Sequence, residues 1–304
     1  MDKNKVNLYF TNYQRLEQAV LDLSFSIHFS DDQIDVYSVA IADLIMRCAT
    51  DIESIAKDLC RENFKFEPAK PGDCFNSFEQ EWQITKKSLL IVCPYFNFKN
   101  NFAPKLQPFN YENGSENDYF SQYNALKHDK TKNLSKATVG TLIRILGALY
   151  ILNLYYKRDA YPLGNDCFGT KIDKTMGSKI FSVFVYPSEE GKNLSSNKDI
   201  SSEECMYRIV KTEGQGCISV NCMDADNKIR TVKVTMVNDD FQTFVKECAN
   251  TFGTGNLMSA NGNQNLLTAV HSIGESACNI LNCKQIISLH PDKLADIFSL
   301  VLNT

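Results

Sequence analysis

One segment constrains the fold of this chain more than any other. Residues 137–156 read ATVGTLIRILGALYILNLYY and are almost wholly apolar over about the length that spans a bilayer. Arg144 and Asn153 lie inside this stretch, however, and a charge at membrane depth is costly. A helix that is apolar on nearly all sides can instead be buried between other helices or in a dimer interface. We therefore predict a buried helix, no membrane association and a homodimer.

Composition limits the class of protein. The chain has 304 residues, 43% of them hydrophobic and 22% charged, which is enough to bury a core and to form two domains. Its formal charge is −4, so any nucleic-acid site must be a local patch. The eleven cysteines are odd in number, scattered and without a C-x-x-C pair, and no apolar signal segment follows the N-terminus. We expect a cytoplasmic protein with reduced thiols, no metal and no cofactor.

The first half of the chain has the apolar spacing of helices. Residues 16–27 follow a helical rhythm, and residues 30–32 offer an N-cap for a long helix that ends near residue 60. The apolar side chains of that helix form one stripe: Ile34, Ile41, Leu44, Ile45, Cys48, Ile52, Ile55 and Leu59. Further helices are predicted over residues 77–87 and 118–127, and Ser135 is the predicted cap of the apolar helix.

The second half changes character after a glycine- and proline-containing linker. Strands are predicted over residues 179–186, 204–211, 217–223 and 228–237, the last two joined as a hairpin by the turn residues Asp-Ala-Asp-Asn. Helices are predicted over residues 241–251, 265–281 and 292–302. The predicted fold class is therefore mainly α: an N-terminal helical bundle over residues 1–160 and a smaller α+β domain with an antiparallel sheet over residues 175–304.

The residues most suited to chemistry lie in the segment YFSQYNALKHDKTKN, residues 119–133. If this segment is helical, Asn124 and His128 share one face, and Tyr123 and Lys127 pair on the adjacent row. An imidazole can act as acid or base near neutral pH, and a neighbouring lysine supplies positive charge for a phosphate. Three further lysines follow closely: Lys130, Lys132 and Lys136. The alternative is that His128 merely ends a helix, where the dipole favours it, beside a solvated lysine face.

A second charged group lies on the long helix. Arg47 and Asp51 are four residues apart beside the apolar stripe, and Asp43 lies four residues before Arg47. A carboxylate partner can direct an arginine into a cleft between helices. The alternative is a surface ion pair, which contributes only a few tenths of a kcal/mol.

Three segments taken in order resemble the HEPN superfamily: MRCATDIESIAKDL (residues 46–59), YNALKHDKTKN (residues 123–133) and the apolar helix. The likeness is to the bacterial branch with a YNxxKHD signature, it covers about residues 15–158, and its sharpest part is residues 123–129. The resemblance implies a helical bundle that dimerises and brings two copies of the motif together in a cleft.

The resemblance also implies a class of activity. Many HEPN proteins are metal-independent endoribonucleases of toxin–antitoxin, abortive-infection and phage-defence systems, so the implied partners are RNA or a nucleotide and an antitoxin or defence-system protein. In that family the RNA 2′-hydroxyl attacks the phosphorus, assisted by a histidine and an arginine. His128 matches the histidine, and Asn124 matches the polar residue between the two. The positions of the arginine hold Ser121, Gln122 and Tyr123, none of which can grip a phosphate with two hydrogen bonds.

Two functions remain open from the sequence, besides a purely structural role as a dimer in a larger defence assembly. Lys127 and Arg47 could supply the missing charge in a metal-independent endoribonuclease, or the domain could be a non-catalytic nucleotide- or protein-binding module of a defence complex. The candidate catalytic residues are His128, Asn124, Arg47 and Lys127, and the candidate substrate-binding residues are Asp51, Tyr123, Lys130 and Lys132. The catalytic hypothesis requires that Arg47 and His128 face the same cleft.

Overall fold

A computed structural model describes residues 3–68, 71–111, 118–189, 200–235 and 282–304, and the helical residues Glu275 and Asn279. Its α-helices are α1 (Lys3–Leu23), α2 (Val39–Leu59), α3 (Pro71–Trp82), α4 (Tyr119–His128), α5 (Lys130–Asn133) and α6 (Val139–Lys157). Its strands are β1 (Leu89–Ile91), β2 (Tyr161–Gly164), β3 (Phe181–Val183), β4 (Val185–Tyr186), β5 (Tyr207–Met223), β6 (Ile229–Thr235) and β7 (Gln285–Leu302).

The apolar segment forms α6, which lies against α1 and α2 at the centre of the helical core. By length and composition α6 could cross a membrane, but 89% of its most apolar 18-residue stretch is buried inside the structure. The buried Asn153 is satisfied locally, since its side-chain amide donates to the carbonyl oxygen of Leu149 at 2.9 Å. The prediction of a buried helix is confirmed. Because α6 is already buried within a single chain, its apolar surface is no longer an argument for the predicted homodimer.

The long helix α2 starts later than predicted. The side chain of Ser38, not a residue at 30–32, is its N-cap and accepts a hydrogen bond from the backbone of Ile41 at 3.2 Å. The earlier segment is used elsewhere, because the carboxylate of Asp31 accepts backbone hydrogen bonds from residues 99–101. The predicted apolar stripe is buried from Ile41 to Leu59, whereas Ile34 precedes the helix.

The start of α6 and the end of α3 also differ from prediction. The cap of α6 is Thr138, whose hydroxyl accepts from the backbone of Thr141 at 3.1 Å, while Ser135 lies in a 3-10 turn. The helix α3 ends at Trp82, several residues before the predicted end. The indole of Trp82 stacks on the ring of Tyr155 with centroids 4.2 Å apart, which packs α3 against α6.

The predicted fold class is wrong. The chain is 47% helical and 19% strand, so it is a mixed α/β protein and not mainly α with one small sheet domain. One cause is that strands are not confined to the C-terminal part. The strand β1 lies between α3 and α4 in the predicted helical half and pairs antiparallel with β3, with Leu89 opposite Val183 and Ile91 opposite Phe181.

A second cause lies near the C-terminus, where the predicted helix over residues 292–302 is part of β7. The buried side chains of Phe298 and Leu300 are two residues apart, which is the period of a strand and not of a helix. The predicted helix over residues 241–251 lies outside the described residues, as does that over residues 265–281 apart from Glu275 and Asn279.

The larger sheet has the strand order β2-β7-β5-β4, and β6 pairs with β5. The predicted hairpin is confirmed: β5 and β6 pair antiparallel from Cys217 opposite Thr235 to Met223 opposite Ile229. Its turn is held by the carboxylate of Asp224, which accepts backbone hydrogen bonds from residues 226 and 228. The other two predicted strand regions appear as β3 with β4 and as the start of β5.

The chain divides into two compact units, and the division differs from the predicted boundary. The first unit contains Met1–Pro162, Phe168–Val210 and Leu300–Thr304, and the second contains Leu163–Cys167 and Lys211–Ser299. Residues 168–210 join the helices of the first unit through Glu17, a buried carboxylate of α1. Glu17 accepts hydrogen bonds from the hydroxyl of Ser178 and from the backbone of Lys179 and Ile180.

Candidate functional site

The motif helix α4 has a buried side and an exposed side. Asp118 caps it by accepting a hydrogen bond from the backbone of Ser121 at 3.0 Å. The side chains of Tyr119, Tyr123 and Leu126 are buried, four and three residues apart. The three remaining candidate residues of the helix lie on the exposed side: Asn124, Lys127 and His128. An amide, an ammonium group and an imidazole are therefore accessible to solvent together.

Lys127 interacts with its own helix and with α2. Its ammonium nitrogen lies 5.4 Å from the centroid of the Tyr123 ring. A hydrogen bond to Tyr123 and the charge of Glu53 in α2 raise the pKa of Lys127, so its positive charge is favoured there. The groups that act on Lys127 are therefore the ring and hydroxyl of Tyr123 and the charge of Glu53.

The lysines that follow α4 differ in their side-chain contacts. Asp129 caps the short helix α5 by accepting from the backbone of Lys132 at 3.0 Å. Lys130 forms an ion pair with Asp43 of α2, the carboxylate that the sequence suggested as a partner of Arg47. Both side chains of this pair are substantially exposed, so it contributes at most about 1 kcal/mol. Lys132 remains exposed on the surface.

Arg47 lines a groove to which the residues of the motif helix do not contribute. This groove runs between α1 and α2, has a volume of about 340 Å³ and is lined by Asn12, Arg15, Leu16, Met46, Arg47, Thr50 and Asp51. The structure thus brings Arg47 together with Asp51, as the four-residue spacing predicted. None of Asn124, Lys127 and His128 lines this groove, and no contact joins Arg47 to His128 among the described residues.

Asp51 is partly desolvated in this groove. Burial raises the pKa of its carboxyl group, and the positive charge of Arg47 opposes that effect only in part. The attraction between the two side chains therefore does not compensate for the lost hydration of the carboxylate.

A larger groove, with a volume of about 680 Å³, lies beside α4. The helix α4 contributes Gln122, the segment before α6 contributes Ser135, Lys136 and Thr138, and α6 itself contributes Gly140, Thr141 and Arg144. The opposite wall consists of Ile34, Asp35, Tyr37, Asn101 and Phe102. We call this the α4–α6 groove. It carries two cationic side chains and one carboxylate in a chain whose overall charge is negative.

Arg144 is held firmly in the wall of the α4–α6 groove. Its guanidinium donates to the carbonyl oxygen of Gln107 at 3.0 Å and lies 5.7 Å from the centroid of the Phe102 ring. Burial lowers the pKa of Arg144, and the phenol groups of Tyr119 and Tyr111 partly oppose this effect. A guanidinium remains charged under these conditions, and a partly desolvated charge attracts an anion more strongly than an exposed one.

The backbone amides at the start of α6 are not free to donate hydrogen bonds to a ligand in this groove. The first two backbone amides of α6 donate to the carbonyl oxygens of Val36 and Ile34, each at 2.9 Å. The next two donate to the side chain and the carbonyl oxygen of Thr138. Because all four amides have protein acceptors, recognition of an anion here depends on the side chains of Lys136 and Arg144.

Sequence reasoning did not assign Arg144 to a site, although its signal was visible. A charged residue inside an otherwise apolar buried helix needs a polar destination, and here that destination is a groove. Gln122 occupies one of the positions where the family motif would place an arginine, and it lines the same groove. Among the described residues, no cluster of three or more histidine, cysteine or acidic side chains could hold a metal ion.

Comparisons with known proteins add no assignment. No family model, curated protein or solved structure matches this chain. The HEPN resemblance therefore remains a prediction that rests on residues 123–129 and on the two flanking helical segments.

Proposed function

We propose that this chain is a non-catalytic nucleotide-binding module of the HEPN-like kind, and that the α4–α6 groove is its ligand site. The observation that carries the proposal is the pair of cations, Lys136 and Arg144, in one groove of about 680 Å³ beside the motif helix. The arginine that nuclease chemistry would need, Arg47, lines another groove.

The groove offers a matching group for each part of a nucleotide. Lys136 and the forked guanidinium of Arg144 suit a phosphate. Tyr37 is 52% exposed and lines the groove, so its ring is available for a base to stack on. The side-chain amides of Asn101 and Gln122 are the kind of group that hydrogen-bonds the edge of a base.

The test is titration of the full chain with nucleoside mono-, di- and triphosphates, followed by calorimetry and by thermal unfolding. A ligand at one hundred times its Kd should stabilise the protein by about 2.7 kcal/mol. We expect Lys136→Gln and Arg144→Gln each to weaken binding at least tenfold, since each removes a phosphate contact. Because Arg144 supports the fold as well, the exposed Lys136 and Tyr37 provide variants that leave the core intact.

Arg208→Gln is the matched control, because Arg208 is exposed and lies outside the groove. Absence of binding by every nucleotide would overturn the proposal. Equal weakening by Lys136→Gln and Arg208→Gln would also overturn it, because binding would then reflect overall charge alone.

A second candidate function is a metal-independent endoribonuclease effector of a phage-defence or toxin–antitoxin system. The observation in its favour is that His128 and Asn124 lie exposed on one side of α4, where a phosphodiester could reach them. Lys127 is the cation next to His128 along the helix, whereas Arg47 lines the groove between α1 and α2.

This function is tested by incubating RNA with the protein in the presence of a chelator. Attack by the 2′-hydroxyl would leave 2′,3′-cyclic phosphate ends, and His128→Ala should abolish them. Absence of cleavage by the wild type, or equal cleavage by His128→Ala, would remove the catalytic hypothesis.

A further inference from the structure

Two arginines from neighbouring helices line the same groove. The helix α1 contributes Asn12, Arg15 and Leu16, whose spacing of three and four residues places them on one face. The helix α2 contributes Arg47 together with Met46, Thr50 and Asp51. We call this the arginine groove. Leu16 is buried beneath it, whereas both guanidinium-bearing side chains are exposed.

In the described part of the chain, neither the guanidinium group of Arg15 nor that of Arg47 is held by a hydrogen bond or an ion pair, although the charge of Arg47 acts on Asp51. Arg61, by contrast, is held by the carboxylates of Asp58 and Glu67. The donors of the arginine groove are therefore available to a ligand.

The charge of the groove is unbalanced. Asp51 is the single carboxylate among its lining residues, which include two arginines. Its pKa is raised because burial outweighs the attraction of Arg47. The groove is therefore positive when Asp51 is ionised and more positive when Asp51 is protonated. An anion is the ligand that such a charge distribution favours.

We infer that the arginine groove is a binding site for a small phosphate-bearing anion, either inorganic phosphate or the terminal phosphate of a phosphomonoester. Two guanidinium forks on facing helices match the oxygen geometry of a phosphate better than lysines do. The volume of about 340 Å³, half that of the α4–α6 groove, suits a small ligand. The inference is independent of the proposed function, since the two grooves share no lining residue.

The experiment is calorimetric titration of the full chain with inorganic phosphate and, separately, with ribose 5-phosphate at constant ionic strength. We expect saturable binding that depends on both arginines of the groove. Arg15→Gln and Arg47→Gln should each weaken it at least tenfold. Asp51→Asn should tighten it severalfold, because a negative charge beside the bound phosphate is removed. Tighter binding of ribose 5-phosphate identifies a phosphomonoester as the ligand, and equal binding identifies the phosphate group alone.

Arg208→Gln removes one positive charge from an exposed position outside the groove and should leave phosphate binding unchanged. The inference is overturned if phosphate binds no better than chloride, or if Arg208→Gln weakens binding as much as Arg15→Gln does. It is also overturned if Asp51→Asn weakens binding, because Asp51 would then not act by repulsion.

Discussion

At the scale of single residues, the charged side chains of α2 have different surroundings: Arg47 lies beside Asp51 in a groove, whereas Asp43 forms an ion pair with Lys130. The four-residue spacing of Arg47 and Asp51 was sufficient to predict that they lie together, because one helix fixes that distance. The relation of Arg47 to His128 depends on where α1 and α4 pack around α2, which no local spacing encodes. Asp43 likewise pairs with Lys130, a residue distant in sequence, and not with the arginine four positions away.

A buried lysine provides a prediction at this scale. Lys87 is 2% exposed and donates a hydrogen bond to the carbonyl oxygen of Cys205, and burial lowers its pKa to about 8. Between about pH 8 and pH 10 the folded chain therefore has a neutral Lys87, whereas the unfolded chain still binds the proton. Because the unfolded state binds more protons there, the contribution of Lys87 to the free energy of unfolding rises with pH.

The variant Lys87→Met isolates this effect. We expect it to be more stable than the wild type near pH 7, and we expect its advantage to shrink by about 2 kcal/mol between pH 8 and pH 10. The buried thiol of Cys48, whose pKa burial raises, acts in the opposite direction but equally in both proteins, whereas the thiol of Cys205 loses the charge of Lys87 in the variant. Urea denaturation across this pH range measures the difference, and a difference that does not change with pH would contradict the assignment.

At the scale of elements, the spacing of apolar residues identified which segments are helices. It was less successful in predicting where those helices begin. The buried faces of α2 and α6 follow directly from their sequences. Their starts depend on tertiary pairing, because the carbonyl groups of Ile34 and Val36 accept from the first turn of α6 and hold residues 34–36 out of a helix. The segment 292–302 is so short that its apolar residues fit the period of a helix as well as that of a strand. Pairing with neighbouring strands makes it part of β7.

The cap of α6 gives a prediction at this scale. Thr138→Ala should lower the free energy of unfolding by about 1 kcal/mol, since it removes the acceptor for the backbone of Thr141. Ser135→Ala is the matched control, because Ser135 is exposed and lies before the helix. Chemical denaturation of both variants checks this, and an equal loss in Ser135→Ala would place the cap where the sequence suggested.

At the scale of the whole molecule, the first unit is assembled from three separate stretches of chain. Tyr150 of α6 donates to the carbonyl oxygen of Thr175 at 2.7 Å, and Tyr155 donates to that of Asn303 at 3.2 Å. Glu17 of α1 adds the contacts to residues 178–180. The links of Tyr155 and of Glu17 join residues more than one hundred positions apart. Sequence pattern therefore identified the helices of this unit but not which later segments pack with them.

A truncation tests this organisation. A fragment of residues 1–160, which is the predicted helical domain, should fail to unfold cooperatively, because the buried Glu17, Tyr150 and Tyr155 lose their partners. Near-UV circular dichroism and a denaturation curve of the fragment, compared with those of the full chain, provide the measurement. A sharp transition at the denaturant concentration of the full chain would show that residues 168–210 and 300–304 are dispensable.

The contribution of residues 300–304 has a consequence for synthesis. A ribosome adds about 5–20 residues per second, and most domains begin to fold as soon as they emerge. Here the nascent N-terminal helices must wait for nearly 150 further residues before Asn303 can reach Tyr155. During that interval Tyr155 of α6 lacks its partner Asn303, and chaperones that shield hydrophobic nascent chains have an opportunity to act.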